Sequence, residues 1–241
     1  MRAVPVRALA AAILLLGAAP LAYTLFLRPA PRRLPHNRAH PVLYVALGDS
    51  TVAGVGASGP AQNYVSRLYE RLRSAYPEAR LVNLGVSGAT AAGVLAAQFR
   101  EAVALSPDLV TLSIGPNDIT SGRTNVKQYE QDLEIILQVL TREARAVVVL
   151  NLIPDLTVTP RFRGTATTAW LKERVLAFNQ ALSRQGRRYG AEVVDLYEPS
   201  QREIPEHPEF LAGDGYHPSD QGYARWAELM WQGVQARIPQ R

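Results

Sequence analysis

A serine hydroxyl, an imidazole and a carboxylate together can carry nucleophilic acyl transfer, and this chain places one of each at the end of a regular segment. Ser50 closes Gly48-Asp49-Ser50, directly after the apolar run 42–47. Asp214 and His217 lie in Asp214-Gly215-Tyr216-His217-Pro218, just ahead of the last helical segment, for which Ser219 is a natural N-cap. A hydroxyl is a weak nucleophile at neutral pH and needs a base roughly 2.6–3.2 Å away. Of the four histidines, His36 and His40 fall in the N-terminal stretch, and His207 sits among Pro205, Glu206 and Pro208 in a loop expected at the surface. His217 is therefore the expected base. A second serine competes with Ser50: Gly85-Val86-Ser87-Gly88-Ala89 nearly spells the G-x-S-x-G elbow, with Ala89 in place of the last glycine.

Elements able to position these groups can be read from hydropathy. Short apolar or β-branched runs at 42–47, 80–84, 109–114, 146–150 and 192–196 have strand length. Between and after them, 64–76, 90–105, 126–141, 167–189 and 219–237 carry helical spacing, as in Leu133, Ile136, Leu137 and Leu140. Runs that are apolar throughout imply strands buried on both faces, and their alternation with helices implies right-handed crossovers. The expected fold is therefore α/β, a three-layer α/β/α sandwich around a five-stranded parallel sheet. Ligands in such sheets bind beyond the carboxyl ends of the strands. Gly48-Asp49-Ser50, Gly85-Val86-Ser87-Gly88 and Gly115-Pro116-Asn117-Asp118 each follow one of the first three strands, so they are expected on one rim. Residues 150–166 are expected to be a long irregular loop.

In these blocks the chain resembles the SGNH or GDSL hydrolases, over about residues 42–237. Four blocks appear in the family's order: "GDS" with Ser50, "NLGVSG" with Gly85, "GPND" with Asn117, and "DGYHP" with Asp214 and His217. Thr51 stands where the family's common name has leucine, and Gly54 keeps the glycine that follows the serine. The resemblance implies a flavodoxin-like hydrolase fold with Ser50 as nucleophile, His217 as base and Asp214 as the carboxylate orienting it. It also implies an oxyanion hole made by the backbone amides of Ser50 and Gly85 and the side-chain amide of Asn117. Glycine suits such a place because no Cβ obstructs approach to the substrate. Asp49 and Asp118 are expected to support these loops by hydrogen bonds without taking part in the chemistry.

The chain has 241 residues and no cysteine, which excludes disulfides, thiolate metal sites and cysteine nucleophiles. "GVGASGPAQ" lacks the Gly-Lys-Ser/Thr that a phosphate loop needs, and no histidines and acids share a metal-ligand spacing. No cofactor and no metal are expected. The formal charge is +5, from 26 basic and 21 acidic residues, but six arginines and no acids lie in residues 1–38. Without that stretch the balance is 20 − 21 = −1, so a nucleic-acid partner is not expected.

The basic stretch surrounds Ala8–Leu27, twenty uncharged and mostly apolar residues, enough to span a ~30 Å hydrocarbon layer as a helix. A hydrophobic helix acting as signal-anchor or signal peptide is thus expected over 1–28, a Pro/Arg-rich linker over 29–41 and the hydrolase domain over 42–241. Pro20 follows Ala18-Ala19 and spoils the most obvious cleavage site, which favours an uncleaved anchor. Arginines flank both ends and leave the orientation open; export, as a membrane-anchored or secreted protein, is the expectation. The expected activity is a serine esterase of small-molecule or lipid-like esters, with an acyltransferase on the same residues or a binding module on the same fold as alternatives. Leu152, Ile153, Leu156, Phe162 and Trp170 are candidates for an acyl pocket.

Overall fold

Five parallel strands form one sheet in the order β2-β1-β3-β4-β5. They are β1 Leu43–Gly48, β2 Arg80–Asn83, β3 Leu109–Ser113, β4 Val147–Asn151 and β5 Glu192–Val194. The computed structural model describes residues 31–240, and the hydrophobic helix expected over 1–28 lies outside them. Among the described residues no helix is long and apolar enough to cross a membrane. The central strands β3 and β4 are buried at every position, as their unbroken apolar runs require; the edge strands β2 and β5 are only partly buried and shorter than their runs suggest.

Helices cover both faces. Those between the strands are α1 Ser50–Ala53, α2 Tyr64–Ala75, α3 Ala91–Ala97, α4 Phe99–Ala104, α5 Pro116–Thr120, α6 Val126–Gln138 and α7 Thr168–Tyr189. After β5 come α8 Tyr197–Glu206 and α9 Asp220–Ala236. One core unites Val45, Val110, Val148, Leu133, Ile136 and Phe178 under α3, α6 and α7. The other unites Tyr44, Val149, Leu68, Leu72, Trp226 and Met230 under α2 and α9. The alternation of strand side chains between faces feeds both layers, giving the expected three-layer sandwich.

Caps set the helix starts. Asn63, Thr90, Asn125 and Ser219 each accept a backbone N–H from the first turn of the helix that follows. The single helix expected over 90–105 is two helices meeting at Gln98, whose side chain reaches the tip of β1. Helix α8 has no expected counterpart, since Pro199 and Pro205 mask its pattern. The stretch expected to be a spacer makes contacts of its own: Leu34 is buried, its N–H donates to Arg237 O at 2.8 Å, and Tyr76 Oη donates to Pro35 O at 2.7 Å.

Candidate active site

Gly48, the last residue of β1, has φ +143°, and a Cβ there would lie 1.9 Å from Ser113 O on β3. Only glycine allows β1 to turn this tightly against its neighbour. Asp49 then caps α1, accepting the N–H of Thr51 at 2.9 Å and the Thr51 hydroxyl at 2.9 Å. Ser50 is thereby the first residue of a helix at a strand's carboxyl end. Its own N–H is one of the donors that a helix leaves without an internal acceptor.

His217 is carried by the loop between α8 and α9. Its Nε2 lies 2.9 Å from Ser50 Oγ, and its Nδ1 lies 2.5 Å from Asp214 Oδ2. The other Asp214 oxygen accepts the N–H of Tyr216 and of His217, both at 2.9 Å. Gly215 at φ +65° lets the loop fold back so that an acid three residues earlier can face the ring. The loop is clamped at its base by Ala212 N to His217 O at 2.8 Å and Ser219 N to Phe210 O at 2.9 Å. Tyr216 stands edge-on to the imidazole, with centroids 4.9 Å apart. Burial acts to raise the Asp214 pKa, but the hydrogen bonds from His217 and Tyr216 together outweigh it and hold the carboxyl below its ordinary value. The arrangement gives a hydroxyl, a base and a charge that fixes the base's tautomer.

The remaining expected residues fall on the same rim. Gly85 packs against α1 so closely that a Cβ would lie 2.6 Å from Ala53 N. Its N–H, expected to serve an oxyanion, donates instead to Asn83 Oδ1 at 2.9 Å. Asn117, at the start of α5, donates one side-chain hydrogen to Ala89 O at 2.9 Å and has a second to offer. Ser87 is exposed and His217 bonds Ser50, so the rival serine lacks the base. His207 is at the surface against Glu209, and His40 pairs with Asp108 at the other end of the sheet.

Two buried acids support the rim as expected. Asp118 accepts the Ala91 N–H at 3.0 Å, and burial pushes its pKa up to about 7 despite that bond. Asp49 is likewise pushed up to about 6 by burial, against the hydrogen bonds of Thr51 and the charge of His217. Gln98 escaped the sequence reading: nothing in its spacing distinguishes it from an exposed helix residue. Among the described residues no three histidine or acidic side chains are grouped to hold a metal ion.

A cavity of about 100 Å³ adjoins Ser50 and His217. Its walls are mostly apolar and include Leu156, Leu196, Ile204, Phe210 and Tyr216. Of the residues expected to line an acyl pocket, Leu156 does so. Leu152 and Ile153 belong to the core behind it, Phe162 packs on Tyr216, and Trp170 is exposed.

Comparison with known proteins agrees with the geometry. The model of the GDSL-like lipase/acylhydrolase family matches residues 46–225. LAE5, an alpha/beta hydrolase enzyme from the metagenome of Lake Arreo, is 25% identical with a TM-score of 0.66, covering 83% of this chain and 97% of its own. TesA is 25% identical with a TM-score of 0.66, covering 80% of this chain and 98% of its own. A variant of Axe2, an acetyl xylan esterase from Geobacillus stearothermophilus, shares the fold at 21% identity and a TM-score of 0.65, covering 83% of this chain and 97% of its own. No curated protein sequence matches.

Proposed function

The chain belongs to the GDSL-like lipase/acylhydrolase family, and from that footing we propose that it hydrolyses carboxylic esters of short acyl groups through an acyl-enzyme on Ser50. One observation carries this: Ser50 Oγ, His217 and Asp214 form a continuous hydrogen-bonded chain at a strand tip. His217 takes the Ser50 proton as Oγ bonds to the ester carbon. The resulting oxyanion meets the Ser50 N–H and the second hydrogen of the Asn117 amide. The Gly85 N–H joins them by exchanging Asn83 Oδ1 for the oxyanion. His217 then protonates the departing alcohol, and a water deprotonated by the same ring releases the acid and restores Ser50.

The cavity beside Ser50 limits the acyl group. At about 100 Å³, with mostly apolar walls, it suits a short acyl group. This argues for acetyl to butyryl esters over the long chains of a lysophospholipid. The apolar run Ala8–Leu27 supports a membrane tether for the enzyme. A fluorophosphonate tests the nucleophile: it labels the wild type at Ser50, and labelling that persists in Ser50→Ala ends this assignment. A p-nitrophenyl series from acetate to palmitate tests the acyl class, and a maximum at long chains rejects the short-acyl reading.

A further inference from the structure

Opposite the catalytic rim, the amino ends of β1, β3 and β4 open on a hollow of about 390 Å³ lined by Arg32, Arg33, Ser106, Asp108 and Arg145. Residues 31–41 are docked along this end. Arg32 Nε donates to Thr141 O at 3.1 Å and His40 pairs with Asp108 at 3.0 Å, so the Asp108 carboxylate is already engaged, its second oxygen accepting the Leu43 N–H at 2.8 Å. Arg33 and Arg145 are exposed, and no acid pairs with either among the described residues. Arg142 and Arg187 are exposed at the same end.

Cations at helix C-termini are ordinary, because they face the negative end of the dipole, and that accounts for Arg142 and Arg187. It does not account for Arg33, which lies on no helix. Charge at a helix end does not by itself explain Arg145, which follows the same helical turn as Arg142 but at φ +59°, a left-handed position that usually falls to glycine. Ser106, at φ +52°, is the other non-glycine residue with positive φ among the described residues, and it lines the same hollow. An arginine is thus kept where glycine is unstrained, beside two more arginines. Planar guanidinium groups in such a set suit a phosphate oxyanion.

We propose that this end of the molecule is a docking face for an anionic phospholipid surface, with a headgroup phosphate taken by Arg33 and Arg145 together with Arg32. The occupant follows from the path of the chain as well as from charge. Residue 31 enters the described unit at this face, a few residues after Ala8–Leu27, and in this the inference rests on the tether reading given above. Each arginine brought within a Debye length of an anionic surface, about 8 Å at physiological salt, strengthens partitioning about fivefold. Ser50 lies at the opposite end of β1, whose six residues span about 20 Å. The catalytic rim then faces away from the bilayer, toward soluble or polymer-borne esters, and away from the lipids of its own membrane.

The absence of cysteine makes a single introduced thiol a unique label. The full chain is prepared as Gln235→Cys, an exposed position near the end of α9 on the docking side, and as Lys127→Cys, exposed in the first turn of α6 on the catalytic side. Each is labelled with a fluorophore and mixed with vesicles carrying a headgroup quencher, with or without phosphatidylglycerol. The expected result is strong quenching at 235, little at 127, and dependence on phosphatidylglycerol. Arg33→Glu combined with Arg145→Gly weakens that dependence by about tenfold or more, while turnover of p-nitrophenyl acetate stays unchanged and shows the variant folded. Equal quenching at both labels overturns the proposal. So does quenching at 235 that is the same with neutral and anionic vesicles and unaltered in the double variant, which retains the tether and removes the face. Flotation with anionic vesicles alone, lost in the double variant, retains the face and removes the tether. No flotation at all overturns both.

Discussion

The side chain of Gln98 holds both backbone polar groups of Gly48: Oε1 accepts the Gly48 N–H at 2.9 Å and Nε2 donates to Gly48 O at 2.8 Å. Gln98 is 2% exposed, so neither group has water as a substitute. This pair fixes the tip of β1 two residues before Ser50, and it interrupts what is otherwise one helix between residues 91 and 104. Gln98→Ala leaves the buried Gly48 N–H unpaired and takes one of two donors from Gly48 O, which keeps the Val86 N–H at 3.0 Å, and lowers the unfolding free energy by about 1–3 kcal/mol. Gln98→Glu keeps the acceptor but turns a carboxylate oxygen toward Gly48 O, so it does not rescue. Denaturant unfolding together with kcat checks both variants, and wild-type stability in Gln98→Ala would contradict the role given to this bond pair.

Asp214→Asn separates orientation from folding. The amide keeps an oxygen for the Tyr216 and His217 N–H groups but turns an NH₂ toward His217 Nδ1, which stabilises the tautomer that cannot accept a proton from Ser50. Turnover of p-nitrophenyl acetate is expected to fall about 10³–10⁴-fold with little change in thermal midpoint. Because the native carboxyl is held below its ordinary value, its contribution to stability is present above about pH 4 and is lost as pH falls through the native pKa. A loss in kcat below tenfold would argue that Asp214 does not orient the base.

Asn117→Ala removes the side-chain amide proposed to face the oxyanion and also its bond to Ala89 O. A fall in kcat of about 10²–10³ with nearly constant KM is the mark of a contact made in the transition state. Asn117→Ser, which offers a shorter donor, is expected to recover part of it. A rise in KM alone would place Asn117 in substrate binding.

How far the sequence discloses this molecule depends on the kind of interaction. The central strands were legible because parallel strands buried on both faces must be apolar at consecutive positions, as Val147, Val148, Val149 and Leu150 are. Ser50, Asn117, Asp214 and His217 were legible as positions because each sits in a short block beside a strand tip or helix cap. Gln98 was not, since a buried glutamine and an exposed one have the same spacing until a partner is known. The engagement of the Gly85 N–H by Asn83 is likewise a matter of side-chain geometry that no pattern encodes. Helix α8 was hidden by its prolines, and with it went Pro199, Ser200, Glu203 and Ile204 of the cavity wall; Leu156 is the one expected lining residue that serves there.

Asp118 predicts a dependence of stability on pH. Its native pKa is raised to about 7, mainly by burial, whereas in the unfolded chain it titrates near about 4. A raised native value means that the native state holds the proton more tightly. Its stabilising effect is complete below about pH 4 and is lost as pH rises toward 7. Asp118→Asn cannot titrate and still offers an oxygen to the Ala91 N–H. Measured from about pH 4 to about pH 8, the variant is expected to gain on the wild type by a few kcal/mol, since each pKa unit is worth about 1.4 kcal/mol. A difference that stays flat over that range removes the buried charge as the cause.

The cavity wall offers control over acyl length. Ile204 lines it from α8 and Phe210 from the segment joining α8 to α9, and neither carries a catalytic atom. Truncating Phe210→Ala opens space beside Ser50, and each further methylene buried there is worth about 0.8 kcal/mol, or about fourfold in kcat/KM. The ratio of hexanoate to acetate turnover is therefore expected to rise about tenfold or more. Ile204→Phe fills part of the same space and is expected to lower butyrate relative to acetate. Opposite movement of the two ratios, with acetate turnover nearly constant in both, identifies the cavity as the acyl site; ratios unchanged in both variants place the acyl group on another wall of the rim.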